Sequence, residues 1–258
     1  MKITILTLFP EMFSGFLNQS IVKRAIAKGL VGVEAVNIRD FTEDRYGRVD
    51  TPPIGGGAGL VMKVQPIDSA LKAVKNPGSH TILLSPRGVT FDQKHALRLK
   101  DFDHVILVCG HYEGIDERVA GLVDEEVSLG DFILTGGEVG AMAIADAVIR
   151  LLPGTIEGTS LDLESFDDGL LEYPQYTEPF EINGQTVPVI LYSGHHEAVM
   201  NWRHLMRLVV TRQKRPDLFA RYPLTSADAR LLRDYDNGVT PNWLSSAIEK
   251  GAKFTKGK

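Results

Sequence analysis

Across roughly its first 150 residues the chain alternates short β-rich apolar runs with stretches of helical spacing, and few folds accommodate that rhythm. Residues 3–8, 33–38, 81–84 and 105–108 read as buried strands. Between them, residues 12–27 and 66–74 carry helical periodicity, and 92–99 is a shorter helix candidate opened by Asp92 at an N-cap position. Residues 141–152 form a further, strongly apolar helix. Strands separated by helices in this way imply a parallel sheet with helices over both faces.

The rhythm stops near residue 154. Residues 154–165 are polar and acidic, without an apolar period, and hold Glu157, Asp162 and Glu164. The expected division is a first domain over 1–156, a linker over 157–165 and a second domain over 166–258. The second domain opens with an extended Pro-rich segment (Pro174, Pro179, Pro188) and continues with helical patterns at 196–211, 216–221, 226–235 and 241–250. It is expected to be smaller and mainly helical.

Composition narrows the class. With 258 residues, 43% of them apolar, the chain can bury a sizeable core. Its one cysteine, Cys109, excludes an internal disulfide and any cysteine cluster for zinc or iron–sulfur, which fits a reducing compartment. Cys109 ends an apolar strand and is expected in the core. The N-terminal apolar run stops at Pro10 and Glu11, as a first strand does and a signal peptide does not. No stretch approaches the roughly 18 apolar residues of a membrane span, so a cytoplasmic location with no membrane partner is expected.

A net charge of −5 weighs against nucleic acid as a partner. Residues 198–215 counter it: they hold Arg203, Arg207, Arg212, Lys214 and Arg215, with His204 and no acidic residue. Such a cluster suits RNA phosphates. Within it Val199, Trp202, Met206 and Val209 share helical spacing, so Trp202 is expected in the core rather than under a base.

Chemistry concentrates in three segments rich in glycine and tight-turn residues: 85–88, 110–114 and 128–138. Each is expected to follow a strand, and ligands of open α/β sheets bind at the carboxyl ends of strands. Any one of them alone reads as an ordinary turn; three together point to a nucleotide-like ligand, because glycine lets backbone N–H and C=O groups approach an adenine edge. Neither a Gly-x-Gly-x-x-Gly after the first strand nor a Gly-x-x-x-x-Gly-Lys-Ser/Thr loop is present, which disfavours NAD and ATP. The glycine run 55–59 reads equally as a mobile loop that meets substrate or as a plain flexible connection.

Two strings make the reading specific. Gly110-His111-Tyr112-Glu113-Gly114-Ile115-Asp116-Glu117-Arg118, followed by Ser128-Leu129-Gly130-Asp131-Phe132-Ile133-Leu134-Thr135-Gly136-Gly137-Glu138, resembles the cofactor-binding signature of the bacterial tRNA (guanine-N1) methyltransferase family. The segments 6–13, 55–62, 84–88, 165–172, 193–196 and 215–218 are similar to that family too, in its order, so the likeness runs from residue 3 to about residue 218.

The resemblance implies an α/β fold of the SPOUT class, whose parallel sheet is threaded into a deep trefoil knot around a bent S-adenosylmethionine. It also implies a homodimer with the active site at its interface, and tRNA as the substrate. Periodicity gives no sign of a knot, and general fold rules argue against one. By motif position Gly110, Leu129, Gly130, Asp131, Phe132, Ile133 and Leu134 contact the cofactor. Leu84, Ser85 and Pro86, then Tyr112, Glu113 and Gly114, then Ser128, Gly136 and Gly137 complete its site.

Methylation of guanine N1 requires a base for the N1 proton and a donor or cation for charge developing on O6. The resemblance assigns the second role to Arg150, which without it reads as compensation of a helix dipole. It assigns the first to an aspartate before the Ser-Phe pair, where this chain has Glu164, one methylene longer; Asp162 is the alternative. Gln175-Tyr176-Thr177-Glu178-Pro179 also departs from the family's His-Tyr-Thr-Arg-Pro, putting an acid at Glu178 where a cation is usual. Glu113 matches a carboxylate linked to magnesium dependence, but one carboxylate does not define a metal site and none is assigned. The target implied is the guanosine immediately 3′ of the anticodon, which must leave its stack to react. Two alternatives remain: a non-catalytic RNA-binding relative, and an S-adenosylmethionine-dependent enzyme for another RNA position.

Overall fold

The computed structural model describes residues 1–156 and 164–255, and the chain divides into two compact units, Met1–Ser160 and Leu161–Lys258. In the first unit, strands β1 (Lys2–Thr7), β2 (Gly32–Asn37), β5 (Ser79–Thr90), β6 (His104–Val108) and β7 (Glu125–Ser128) form one sheet in the order β2-β1-β6-β5-β7. Every neighbouring pair is parallel. A short antiparallel pair, β3 (Asp50–Thr51) with β4 (Val61–Met62), stands apart from it.

Both faces of the sheet are covered, as the run of apolar strands requires. On one face Ile3, Ile5, Val105 and Leu107 pack with residues of α2 (Ser20–Ala27), α4 (Gln93–Leu99) and α5 (Glu138–Ile149). On the other, Leu6, Ile106 and Val108 meet Ile67, Ala70 and Leu71 of α3 (Val64–Val74). Asp92 caps α4 through its carboxylate and the His95 N–H.

Residues 12–27 are not one helix. A 3-10 turn over Pro10–Phe13 leads into α1 (Ser14–Leu17), where Asn18 turns its amide onto the Ser14 carbonyl at 2.8 Å. Gln19 is extended and Ser20 has φ 52, so α2 restarts in a new direction and buries Val22 and Ala25. A local polar side chain thus overrides the apolar period.

In the second unit α6 (His196–Lys214) is the central element. One side packs Leu205, Leu208 and Val209 against Leu170 and against Leu232 of α8 (Ser226–Asp236); α7 (Pro216–Phe219) follows α6 directly. Its other side packs Ala198 and the buried Trp202 against Ile190 and against Ala247 of α9 (Asn242–Thr255). The Pro-rich stretch contains one hairpin, β8 (Glu181–Ile182) and β9 (Gln185–Thr186). Asn183 and Gly184 between them both take positive φ, the requirement of a two-residue hairpin turn, and that Asn-Gly pair was the missed signal.

Candidate active site

At the carboxyl ends of β6 and β7 and beside the middle of β5 lies a cavity of about 540 Å³, walled by residues 83–87, 110–117, 127–130 and 132–137, with Ala120 and Gly140. Its size suits a nucleoside-like ligand. The site residues expected at 84–86, 110, 112–114, 128–130, 132–134, 136 and 137 all line it. Asp131 does not: it is exposed, on a tight turn closed by the Phe132 N–H to the Gly130 carbonyl at 2.9 Å.

The first wall differs from expectation in kind. Ser85-Pro86-Arg87-Gly88 does not follow β5 but bulges within it, since Leu84 and Val89 both align with Val127. A Cβ on Gly88 would stand 2.3 Å from the Val127 nitrogen, so β5 can close on β7 only with glycine there. Arg87 ties the bulge to Glu117 at 2.8 Å.

The second and third walls are stitched together by backbone. Gly137 N–H donates to the Gly110 carbonyl at 2.8 Å, and His111 bridges Gly136. A Cβ on Gly137 would lie 2.7 Å from the Cys109 Cα, which no rotamer change could relieve. Ser128 Oγ receives the Gly130 N–H at 3.1 Å. Tyr112 is held at φ 61, a costly conformation for a residue with a side chain. The opening segment acts from behind: Thr7 Oγ1 donates to the buried Glu138 at 2.8 Å and accepts from Phe9 N–H, fixing the start of α5.

The glycine run 55–59 is anchored at its exit. Glu113 N–H donates to the Leu60 carbonyl at 3.0 Å, and Met62 N–H to the Gly114 carbonyl at 2.9 Å, so the run rises directly from the cavity rim. Around the cavity Asp116 is held below the ordinary carboxylate range, first by its hydrogen bond with Arg118. Burial, with the Glu138 charge nearby, pushes the Cys109 thiol well above its ordinary range, so it is a core residue and not a nucleophile. Among the described residues no group of three His, Cys, Asp or Glu side chains is placed to hold a metal ion. Phe132 and Ile133 are 55% and 83% exposed beside the cavity, more apolar surface than a solvated loop needs.

Arg150 closes α5 as its C-cap residue, half-buried, and does not line the cavity. Glu164 is half-buried in the second unit and opens a turn in which its carbonyl accepts the Asp167 N–H at 3.3 Å. Asp162 lies outside the described residues. Glu178 accepts a hydrogen bond from the Tyr192 hydroxyl at 3.3 Å. Ala120, which sequence reasoning missed, comes from a 3-10 turn over Glu117–Leu122 that carries no periodic signal.

The basic run of α6 is not the open face its composition suggests. Arg207 is 1% exposed and bonded to Asp168; Arg212 pairs with Asp236 and Arg215 with Asp217. His204 meets Asp228, which shares the capping box of α8 with the N-cap residue Thr225, at 2.6 Å. Arg203 lies over the Tyr173 ring, 4.6 Å from its centroid. Among the described residues no carboxylate comes within ion-pair distance of Arg203 or Lys214, so these two carry the cluster's available charge.

No helix among the described residues is long and apolar enough to cross a membrane. Against known proteins, the family model described as "tRNA (Guanine-1)-methyltransferase TrmD" matches residues 1–221. A tRNA (guanine-N(1)-)-methyltransferase of Clostridium botulinum (strain Eklund 17B / Type B) is 54% identical over 235 residues, 90% of this chain and 98% of the relative. Proteins of the same name from Malacoplasma penetrans and Dictyoglomus turgidum are each 50% identical, over 86% and 91% of this chain and 98% and 96% of their own lengths. The walls of the cavity, the segments joined to it and these relatives agree: the chain belongs to the tRNA (guanine-N1) methyltransferase family.

Proposed function

We propose that this protein transfers a methyl group from S-adenosylmethionine to N1 of the guanosine immediately 3′ of the anticodon in tRNA. The observation that carries the reading is half-identity to the named relatives across nearly their whole length, with residues 110–117, 127–130 and 132–137 gathered on one cavity.

The cavity fits the cofactor chemically. Glycine-rich backbone offers N–H and C=O groups to an adenine edge, Leu84, Leu129 and Ile133 offer apolar contact, and Glu113 offers negative charge to a cationic end, Asp116 and Glu117 being already paired with Arg118 and Arg87. S-adenosylmethionine, when bound, supplies an electrophilic methyl group. Glu164 removes the N1 proton of the guanine, and Arg150 donates to O6 as negative charge grows there. The backbone-stitched walls would hold the cofactor in one fixed orientation. Arg203 and Lys214 bind tRNA phosphates.

The same reading includes the SPOUT-class knot, a homodimer whose interface covers the exposed apolar residues 132–134, and a cytoplasmic location. Full-length protein incubated with S-adenosylmethionine and unmodified tRNA, with and without magnesium, is expected to yield 1-methylguanosine by nucleoside mass spectrometry. Arg150→Ala and Glu164→Gln should each lower the yield at least roughly a hundredfold. A different methylated nucleoside, or none despite cofactor binding, would remove the proposal.

A further inference from the structure

Among the described residues the largest fully buried side chain belongs to an arginine, Arg207. Its two terminal nitrogens grip Asp168 in a fork, Nη1 to Oδ2 at 2.8 Å and Nη2 to Oδ1 at 2.5 Å, while its buried Nε has no hydrogen-bond partner. Only the Arg207 end of this pair is buried, the Asp168 side chain being 42% exposed, and a guanidinium taken out of water is repaid only in part by a partner that water still reaches. The pair therefore calls for a reason other than stability.

That reason lies in what Asp168 belongs to. Residues 164–172 form a tight turn: Phe166 N–H donates to the Leu170 carbonyl at 2.9 Å, Leu170 N–H to Asp168 Oδ1 at 3.2 Å, and Glu172 N–H to Ser165 Oγ at 3.0 Å. Phe166 has φ 76, left-handed backbone that a residue with a side chain adopts only where its surroundings over-determine it. Its ring is substantially exposed, so burial does not offset that strain. The turn is held instead from α6. Arg207 grips Asp168, and Thr211, one helical turn on, accepts the Leu171 N–H at 2.8 Å while donating to the Arg207 carbonyl at 2.6 Å. Leu170 is driven fully into the core between these two contacts.

Glu164 stands two residues before the strained Phe166, at the start of the clamped turn. We propose that Arg207, Asp168 and Thr211 form a positioning clamp, which sets where the Glu164 carboxylate stands and thereby the rate of proton removal. The proposal rests on the reading of Glu164 as the base. A displacement on the order of 1 Å in a reacting group can cost roughly a hundredfold in rate, so a rigid mount has value that thermal stability does not register. Burial alone would raise the Asp168 carboxyl, but the Arg207 hydrogen bonds outweigh it and keep the group below its ordinary range, ionised at neutral pH.

The test is a double-mutant cycle on full-length protein, with kcat and the KM for tRNA measured for Glu164→Gln, Asp168→Asn and both together. Asp168→Asn is expected to lower kcat roughly ten- to hundredfold with KM changed less than about twofold, and to have no further effect on kcat once Glu164 is Gln. Independent, multiplying effects would overturn the clamp and leave the base reading intact. A Glu164→Gln protein of unchanged kcat would defeat the base reading and the clamp with it. The double variant Arg207→Met, Asp168→Asn, apolar at the buried position and polar at the exposed one, adds a second arm: the clamp predicts that thermal stability returns while kcat does not. Recovery of both would mean that the pair merely holds the fold.

Discussion

The cavity walls of the first unit and helix α6 of the second satisfy their polar groups by opposite means. Around the cavity the walls are joined by backbone: the Gly110 carbonyl meets the Gly137 N–H, and Gly88 and Gly137 let strands and loops approach to distances that a Cβ would forbid. On α6 and at its C-cap three arginines are instead engaged by side chains, with Asp168, Asp236 and Asp217 taking Arg207, Arg212 and Arg215. A backbone-built site gives no alternative arrangement when one atom is added. A site built from charge pairs tolerates change at its surface and fails where one buried charge loses its partner.

The largest effect should follow from adding that one atom. Gly137→Ala drives a methyl group into the Cys109 and Gly110 backbone and should weaken S-adenosylmethionine binding at least roughly a hundredfold, about 3 kcal/mol, by calorimetry. Near-normal binding would mean that the walls are not the rigid backbone unit described.

Next in size, Arg207→Ala should lower unfolding free energy by about 2–3 kcal/mol in urea, whereas Arg212→Ala, at a more exposed pair, should cost about 1 kcal/mol or less. Equal losses would erase the distinction between buried and surface charge in α6.

A smaller effect concerns pH. The Asp168 carboxyl is raised by burial but lowered more by Arg207, so its folded-state pKa is depressed. A depressed carboxylate contributes stability that is complete above its unfolded value of about 3.9 and is lost as pH falls through the folded value. Thermal stability should therefore drop below about pH 4, and in Asp168→Asn the drop over the same window should be shallower.

The smallest effect separates the available cations from the engaged ones. Arg203→Ala should reduce the slope of log affinity for tRNA against log salt by about one, and Arg212→Ala should leave that slope nearly unchanged. The reverse pattern would restore the basic run as an open phosphate-binding face.

These contrasts also mark what was legible in the sequence. The strands at 105–108 and 81–84 and the cap at Asp92 were readable because each depends on local pattern. The cavity was readable through three glycine-rich turns and, residue by residue, through the resemblance of their strings to a family signature; Asp131 is the exception, because a tight turn sends one residue of the run outward. What could not be read depends on distant partners. Arg207 looked like a phosphate ligand within a window free of acids, but its carboxylate arrives from 39 residues earlier, and that of Arg212 from 24 residues later. The bulge at 85–88 likewise reflects pairing with β7, a strand whose first half is two glutamates and carries no apolar signal.

The most direct test of the account uses two tRNA transcripts that differ only in the base immediately 3′ of the anticodon, guanosine in one and adenosine in the other. With labelled S-adenosylmethionine, the account predicts methyl transfer to the guanosine transcript alone, mapped to N1 of that base. Label in both transcripts, or at any other position, would contradict it.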